Sequence, residues 1–282
     1  MNYRHIYHAG NFADVFKHIV LMQVIAYLKQ KDKPFFVLDT HAGIGRYDLK
    51  SAEAQKTLEA EGGIGALYPR DDLPPAVEAY IALIRKFNEN APALTAYPGS
   101  PMIIKDMLRK GDRLVANELH PEDSRTLQRI MGQDRRIRVE NMDGYTALRA
   151  FCPPEERRGL VLVDPPFEVT NEFELMIKGL REAYTRWATG IFAFWYPIKS
   201  AAAIHLYHQD VKALKIPRCT AFDFYLRQPQ DPSAFNGCGM LLVNAPWVLA
   251  EEMRAIAPFL VEALSQGQGS LRITEISGEK PA

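Results

Sequence analysis

The sequence predicts an α/β protein built on a Rossmann-like, mostly parallel sheet. Three observations carry that reading. Short β-branched and aromatic runs alternate with segments of helical apolar spacing along most of the chain. Most of those runs are continuously apolar, as strands buried on both faces are. The 282 residues, 47% apolar and 24% charged, are enough to enclose a sizeable core.

Taken in order, the first element is a helix. Asn11 can cap it, and Val15, Ile19, Met22, Ile25 or Ala26, and Leu28 repeat at helical spacing up to about Gln30. Seven strand-like runs follow: PFFVLD (34–39), RLVANEL (113–119), RIRVENM (136–142), GLVLVDPP (159–166), GIFAFWYP (190–197), CTAFDFYL (219–226) and GMLLVNAP (239–246). Helical spacing marks 101–110, 122–132, 171–187, 198–213 and 247–265. Between THAGIG (40–45) and YPGSP (97–101) the rhythm breaks, with helical character and no convincing strand. Residues 51–80 there carry Glu53, Glu59, Glu61, Asp71, Asp72 and Glu78 against Lys56 and Arg70, and Pro69, Pro74 and Pro75 cut the stretch into short helices. A loop that long needs structure of its own. We read 50–96 as a helical insertion subdomain beside the sheet's C-terminal edge, with 1–49 and 97–282 as the Rossmann-like domain.

Composition narrows the function. Lys+Arg and Asp+Glu both number 34, so gripping nucleic acid by bulk positive charge is not expected, although a local basic patch is compatible. The cysteines are Cys152, Cys219 and Cys238, widely spaced and without a CxxC pair. They fit a reducing cytoplasm and neither a disulfide scaffold nor a cysteine-ligated metal. No apolar run approaches a membrane span, and the opening MNYRHIYHAGN lacks a signal peptide's apolar stretch. The expectation is a soluble cytoplasmic protein.

Chemistry gathers at the predicted strand ends. Asp39-Thr40-His41-Ala42-Gly43-Ile44-Gly45 closes the first strand, in the crevice where a doubly wound sheet binds nucleotide-like ligands. The pattern is not GxGxxG and lacks a Walker lysine; it also suits an ordinary strand-to-helix turn. Glu118 ends the second strand, where a carboxylate can accept bonds from both ribose hydroxyls or merely cap a helix. Asp143-Gly144 ends the third, where it could read an adenine edge. The sharpest signal is Asp164-Pro165-Pro166-Phe167 after GLVLV. It suits methylation of an exocyclic amino group on a planar ring. Such a nitrogen is a poor nucleophile, because its lone pair is delocalised into the ring. A carboxylate and the following carbonyl can accept both N–H bonds and localise that pair. Pro165 and Pro166 stiffen the turn, and Phe167 offers a face for a flipped-out base. A plain Pro-Pro turn with an aromatic core residue is the bland alternative.

These residues, with YRHIYHAGNFADVFKH (3–18), KDKPFFVLDTHAGIGRYDL (31–49), YPGSP (97–101), ELHP (118–121), DGY (143–145), RRGLVLVDPPFE (157–168), ATGIFAFWYPI (188–198) and NAPW (244–247), resemble the ribosomal large subunit methyltransferase J family of 23S rRNA adenine-N6 methyltransferases. The resemblance runs almost the whole length, and the N-terminal block is more specific than DPPF. It implies S-adenosylmethionine as methyl donor, held by His18, His41, Gly43, Ser100, Glu118, Asp143, Gly144 and Asp164. It also implies Asp164, with Pro165 and Phe167, as the catalytic group, and Tyr3 and Lys17 facing the substrate adenine. The family usually carries tyrosine where this chain has Phe167; stacking survives and a hydroxyl is lost. Rival readings are amino-methylation of DNA adenine or RNA guanine N2, or a non-catalytic role in using external DNA.

Without the resemblance, Tyr3, Arg4, His5, Tyr7, His8, Lys17 and His18 suit either a lid over a base or a satisfied polar cap. His5, His8, His18 and His41 match no zinc spacing, so no metal is expected. His205 and His208 read as ordinary helix residues. For RNA, the best patch is Arg125, Arg129, Arg135, Arg136 and Arg138, followed by Arg157 and Arg158. A solvated helix face would look the same. The expected partner is protein-free 23S rRNA, bound by a monomer.

Overall fold

The computed structural model describes residues 4–89, 91 and 93–279. Helix α1 (Phe12–Lys29) begins at Asn11, whose side chain accepts the Ala13 and Asp14 amides and so satisfies donors that a helix start leaves unpaired. Then come β1 (Phe36–Asp39), β2 (Arg46–Asp48), α2 (Ala52–Thr57), α3 (Ile64–Leu67), α4 (Pro75–Phe87), β3 (Ala96–Pro98) and α5 (Ser100–Met107). The middle of the chain forms β4 (Arg113–Asn117), α6 (Pro121–Met131), β5 (Ile137–Glu140), α7 (Gly144–Phe151) and β6 (Gly159–Val163). Last are α8 (Glu172–Arg186), β7 (Ile191–Ile198), α9 (Ala201–Ala213), β8 (Cys219–Tyr225), β9 (Gly237–Val243), α10 (Leu249–Ser265) and β10 (Ser270–Ser277). Among the described residues, no helix is long and apolar enough to cross a membrane.

One eight-stranded sheet has the order β5-β4-β1-β6-β7-β9-β8-β10. From β5 to β7 the neighbours are parallel. β9 runs antiparallel between β7 and β8, and β10 closes the far edge antiparallel to β8. The architecture is the expected Rossmann-like one, and the seven anticipated strands are all present. Their continuous apolarity has a plain cause. On β1, Val37 packs into the cluster that holds α1, while Phe36 and Leu38 point into the cluster formed with α7, α8 and α9. On β6, Leu160 and Leu162 take the first side, Val161 and Val163 the second. A strand covered on both faces has no position for a polar side chain until it ends.

Four elements were not anticipated. β2 and β3 pair antiparallel as a small ribbon, Tyr47 opposite Tyr97, bracketing a stretch read as helical alone. Three-residue strands carry no readable alternation. α7 spans only eight residues. β10 is a half-exposed edge strand beyond the last strong apolar run.

Between the ribbon strands, α3 and α4 bury Ile64, Leu67, Val77, Tyr80, Ile81 and Ile84 in the same cluster as α1. Pro75 opens α4 at a position that needs no N–H. Asn88 fastens its end to the ribbon. Its Oδ1 accepts the Thr95 and Ala96 amides, and its Nδ2 donates to the Ile84 and Ala96 carbonyls. Asn88→Ala is therefore expected to cost about 3 kcal/mol, because buried backbone groups lose their partners. Urea unfolding of the variant against wild type measures it, and an unchanged midpoint would contradict the role.

Candidate active site

At the end of β1, Asp39 is fully buried. Its Oδ2 accepts the Ser100 hydroxyl at 2.6 Å, and no partner for Oδ1 is found among the described residues. Burial pushes its carboxyl up to about 7. The Thr40 hydroxyl reaches the Leu162 carbonyl of β6 and lies 2.8 Å from His41 Nδ1. Burial lowers the His41 pKa to about 4, so the ring is neutral. Gly43, at φ +62°, needs its missing side chain: a Cβ would lie 2.1 Å from the Tyr47 hydroxyl. Its amide donates to Glu118 Oε2 at 2.8 Å, while the His120 amide donates to Oε1 at 2.7 Å. Burial raises the Glu118 pKa. Each oxygen keeps a second lone pair for a ligand. Asn117 ties these strand ends together, donating to the Thr40 and Met142 carbonyls and accepting the Met142 amide.

Asp164 follows the last residue of β6, and the Lys17 ammonium from α1 lies 2.5 Å from its Oδ2 and 2.8 Å from Asp14 Oδ1. Phe167 adopts φ +52°, a left-handed conformation that is a rare backbone state for an aromatic residue. Its ring is held by edge contacts with Phe173 at 5.1 Å and Trp195 at 6.0 Å. A strained turn with a braced ring is what a pre-set stacking surface needs.

The N-terminal segment arches over this end of the sheet. His5 Nε2 lies 2.9 Å from Asp14 Oδ2, and its ring meets Tyr47 edge-on at 5.0 Å. His8 and Asn11 both bond Glu59, and that contact raises the His8 pKa. Arg4 reaches Glu122 and Asp123 at the start of α6. Tyr3 lies outside the described residues. His18 Nδ1 sits 2.7 Å from the Tyr97 hydroxyl, which meets that of Tyr80. Burial drops the His18 pKa to about 3, and its Nε2 has no partner among the described residues.

Many of these groups, though not Asp39, Thr40 or Asn117, line one cavity of about 370 Å³. Of the residues singled out in the sequence, it brings together Lys17, His18, His41, Gly43, Ser100, Glu118, Asp164, Pro165 and Phe167. Asp143 and Gly144 are not among its lining. Asp143 caps α7 through the Thr146 amide, and Gly144 packs so close to His41 that a Cβ would lie 2.6 Å from the ring. Asp14, Tyr47, Glu59, Trp195, Lys199 and Phe235 also line it. None was singled out for a role, although Asp14, Tyr47 and Trp195 lie inside the blocks 3–18, 31–49 and 188–198 that carry the resemblance.

The expected basic patch does not sit at the cavity. Arg135 and Arg136 precede β5, and Arg157 and Arg158 precede β6, at the opposite ends of strands that span about 16 Å. Several are also engaged: Arg136 with Asp134, Arg138 with Glu140, and Arg158 with the Leu28 and Lys33 carbonyls. Only Arg125 and Arg129, exposed on α6, remain on an element that starts at the cavity end. Spacing along the chain cannot tell one end of a strand from the other.

Asp39 generates a test. Its raised pKa contributes stability that is fully present below the unfolded value of about 4 and lost as the pH rises through about 7. Asp39→Asn keeps the shape and removes the titration. The variant is therefore expected to gain on wild type as the pH goes from acid to mildly alkaline. Urea unfolding of both proteins on either side of neutrality measures this, and a stability difference independent of pH would refute it.

Comparison with known proteins identifies the family. The family described as Ribosomal RNA large subunit methyltransferase D, RlmJ, matches residues 32–276. The ribosomal RNA large subunit methyltransferase J of Haemophilus influenzae is 40% identical over 280 residues, 99% of this chain and 100% of that one. Its Escherichia coli K12 counterpart is 42% identical over 260 residues, 92% of each chain. A crystal structure of a Legionella pneumophila protein is similar with a TM-score of 0.87 at 34% identity, covering 95% of this chain and 98% of that one. This chain belongs to the ribosomal RNA large subunit methyltransferase J family.

Proposed function

We propose that this protein transfers a methyl group from S-adenosylmethionine to the exocyclic N6 of an adenine in 23S rRNA. The observation that carries the reading is the Asp164-Pro165-Pro166-Phe167 turn, opening onto the cavity that also holds Glu118, Ser100 and the Gly43 turn. The relatives' names, as ribosomal RNA large subunit methyltransferases, support the substrate class.

The cavity fits such a donor. Buried Asp39 Oδ1 and His18 Nε2 are polar atoms that lack protein partners among the described residues. The Gly43 backbone lines the cavity without a side chain, as it must with the Tyr47 hydroxyl standing where a Cβ would fall. The carboxyls of Asp14, Glu59, Glu118, Asp123 and Asp164 in the lining, against the ammonium groups of Lys17 and Lys199, suit a cationic ligand. When bound, S-adenosylmethionine supplies a methyl group on a sulfonium that passes to nitrogen in one in-line displacement. Glu118 would take the ribose hydroxyls, and His18, His41 and Ser100 would hold the remaining polar groups, with Asp143 and Gly144 beside the adenine end.

The chain's own residues act on the target nitrogen. Asp164 and the Pro165 carbonyl accept its two N–H bonds and localise its lone pair, while Phe167 stacks on the flipped base. Lys17 holds the Asp164 carboxyl in place through their ion pair. Holding the partners in line supplies up to about 7–11 kcal/mol of barrier lowering. No strong base is needed, because the methylated nitrogen is acidic enough to lose its proton to water or to Asp164.

We read the active species as a cytoplasmic monomer acting on protein-free RNA, with 50–96 as an insertion subdomain. Tyr3 and Lys17 would face the adenine. Phosphate contacts fall to cations around the cavity mouth, such as Lys199 and Arg125.

Incubation with methyl-labelled S-adenosylmethionine and unmodified, protein-free 23S rRNA, followed by nucleoside analysis, tests the reading. N6-methyladenosine as the sole product is expected; label on another nucleoside or only on DNA would reject it. Asp164→Ala is expected to lower transfer by about 1,000-fold or more with an unchanged fold, since it removes a contact made to the reacting group. Substantial residual turnover would reject its role. Phe167→Tyr should retain activity, because stacking needs the ring and not the hydroxyl. Phe167→Ala should lose it.

A further inference from the structure

We propose that Asp14 is a positioning residue of this site: it holds the Lys17 ammonium and the His5 ring in place, and through Lys17 it keeps Asp164 open to the target amino group. The inference rests on the methyl-transfer reading and extends it to a side chain that was given no role from the sequence.

Asp14 is 2% exposed, and each of its hydrogen-bond partners belongs to the site or to the segment above it. Oδ1 lies 2.8 Å from Lys17 Nζ, one turn along the same helix face. Oδ2 takes His5 Nε2 at 2.9 Å and the Gly10 amide at 2.9 Å. Gly10 sits at φ +79° with Gly63 packed against it, where a Cβ on Gly63 would lie 2.1 Å from the Gly10 oxygen. The N-terminal turn therefore cannot drift without disturbing this carboxylate. Asp14 links three things: the turn, the ring at the rim, and the ammonium that meets Asp164.

The electrostatics explain why a second carboxylate is needed. Lys17 is 4% exposed, and a buried ammonium with one counter-ion collapses onto it. Without Asp14 the ammonium would be free to turn all its hydrogens toward Asp164 and pull that carboxyl from the position in which it meets an N–H. Asp14 divides the ammonium's hydrogens between two carboxylates. The trio then carries a net charge of one negative, which complements a sulfonium. The pKa directions agree: against the opposing effect of burial, His5 and Lys17 hold Asp14 well below the usual range, and Asp14 and Asp164 hold Lys17 well above it.

Asp14→Asn is the informative variant, because it is isosteric and keeps an oxygen for the Gly10 amide. Single-turnover transfer at saturating donor should fall by about 100-fold, the scale of a misplaced reacting group. Combined with Lys17→Met, it should add nothing to the loss from Lys17→Met alone, since both act through one ammonium. The Lys17 Nζ resonance in a lysine-labelled sample should move in Asp14→Asn, and this is read without any turnover. Wild-type transfer in Asp14→Asn, losses that multiply with Lys17→Met, or a rate loss explained by a lowered melting temperature would overturn the proposal. So would an unmoved Lys17 resonance. If wild type itself methylates no RNA, the functional reading fails while the resonance still decides the role of Asp14.

Discussion

Everything at the candidate site depends on β1 being hydrogen-bonded in parallel to β4 on one side and β6 on the other. The chain leaves β1 toward β4 and β5, then returns across the sheet to β6 and β7. Connections on the two sides of β1 diverge, and the space between them cannot be filled by the chain itself. A crevice beyond the carboxyl ends of β1 and β6 is the geometric result. Because both faces of β1 and β6 are buried, polar side chains are kept out of these strands and accumulate where they end. Asp39, Glu118 and Asp164 arrive there for that reason.

Putting acids together in a half-closed cavity is costly, and the structure offsets this in distinct ways. Asp39 is pushed toward neutrality by burial and takes a hydroxyl from Ser100. Glu118 is met by two backbone amides. Asp164 and Asp14 share the Lys17 ammonium. The histidines His18 and His41 are kept uncharged by the same burial, so they add polarity without adding positive charge. One cavity wall thus holds full charges, partial charges and neutral rings in fixed places before any ligand enters, which is the preorganisation that group transfer requires.

The stretch between β2 and β3 contributes at the rim. Glu59, between α2 and α3, anchors His8 and Asn11, while Asn88 and the β2–β3 ribbon fix where that part of the chain sits. The N-terminal turn is therefore held from two directions, by Asp14 below and by Glu59 beside it. Arg4 adds a third tie to α6, exposed and correspondingly weak.

The sequence alone determined the sheet, because two-sided burial leaves continuous apolar runs such as GLVLV that nothing else explains. It also determined the strand-end motifs, since polar residues directly after such runs have only one place to go. Short elements escaped it: the three-residue β2 and β3 have too few positions for a period, and β10 is an edge strand with one face wet. Only the tertiary structure decided which charges meet. Lys17 and Asp164 are 147 residues apart, and no spacing rule couples them. The same holds in reverse for the arginines near 135 and 157, close in sequence to site motifs yet at the other end of their strands. Periodicity reports which face of an element is buried. Which ends of different elements share a crevice follows from strand order and direction, and those are set by packing over the whole chain.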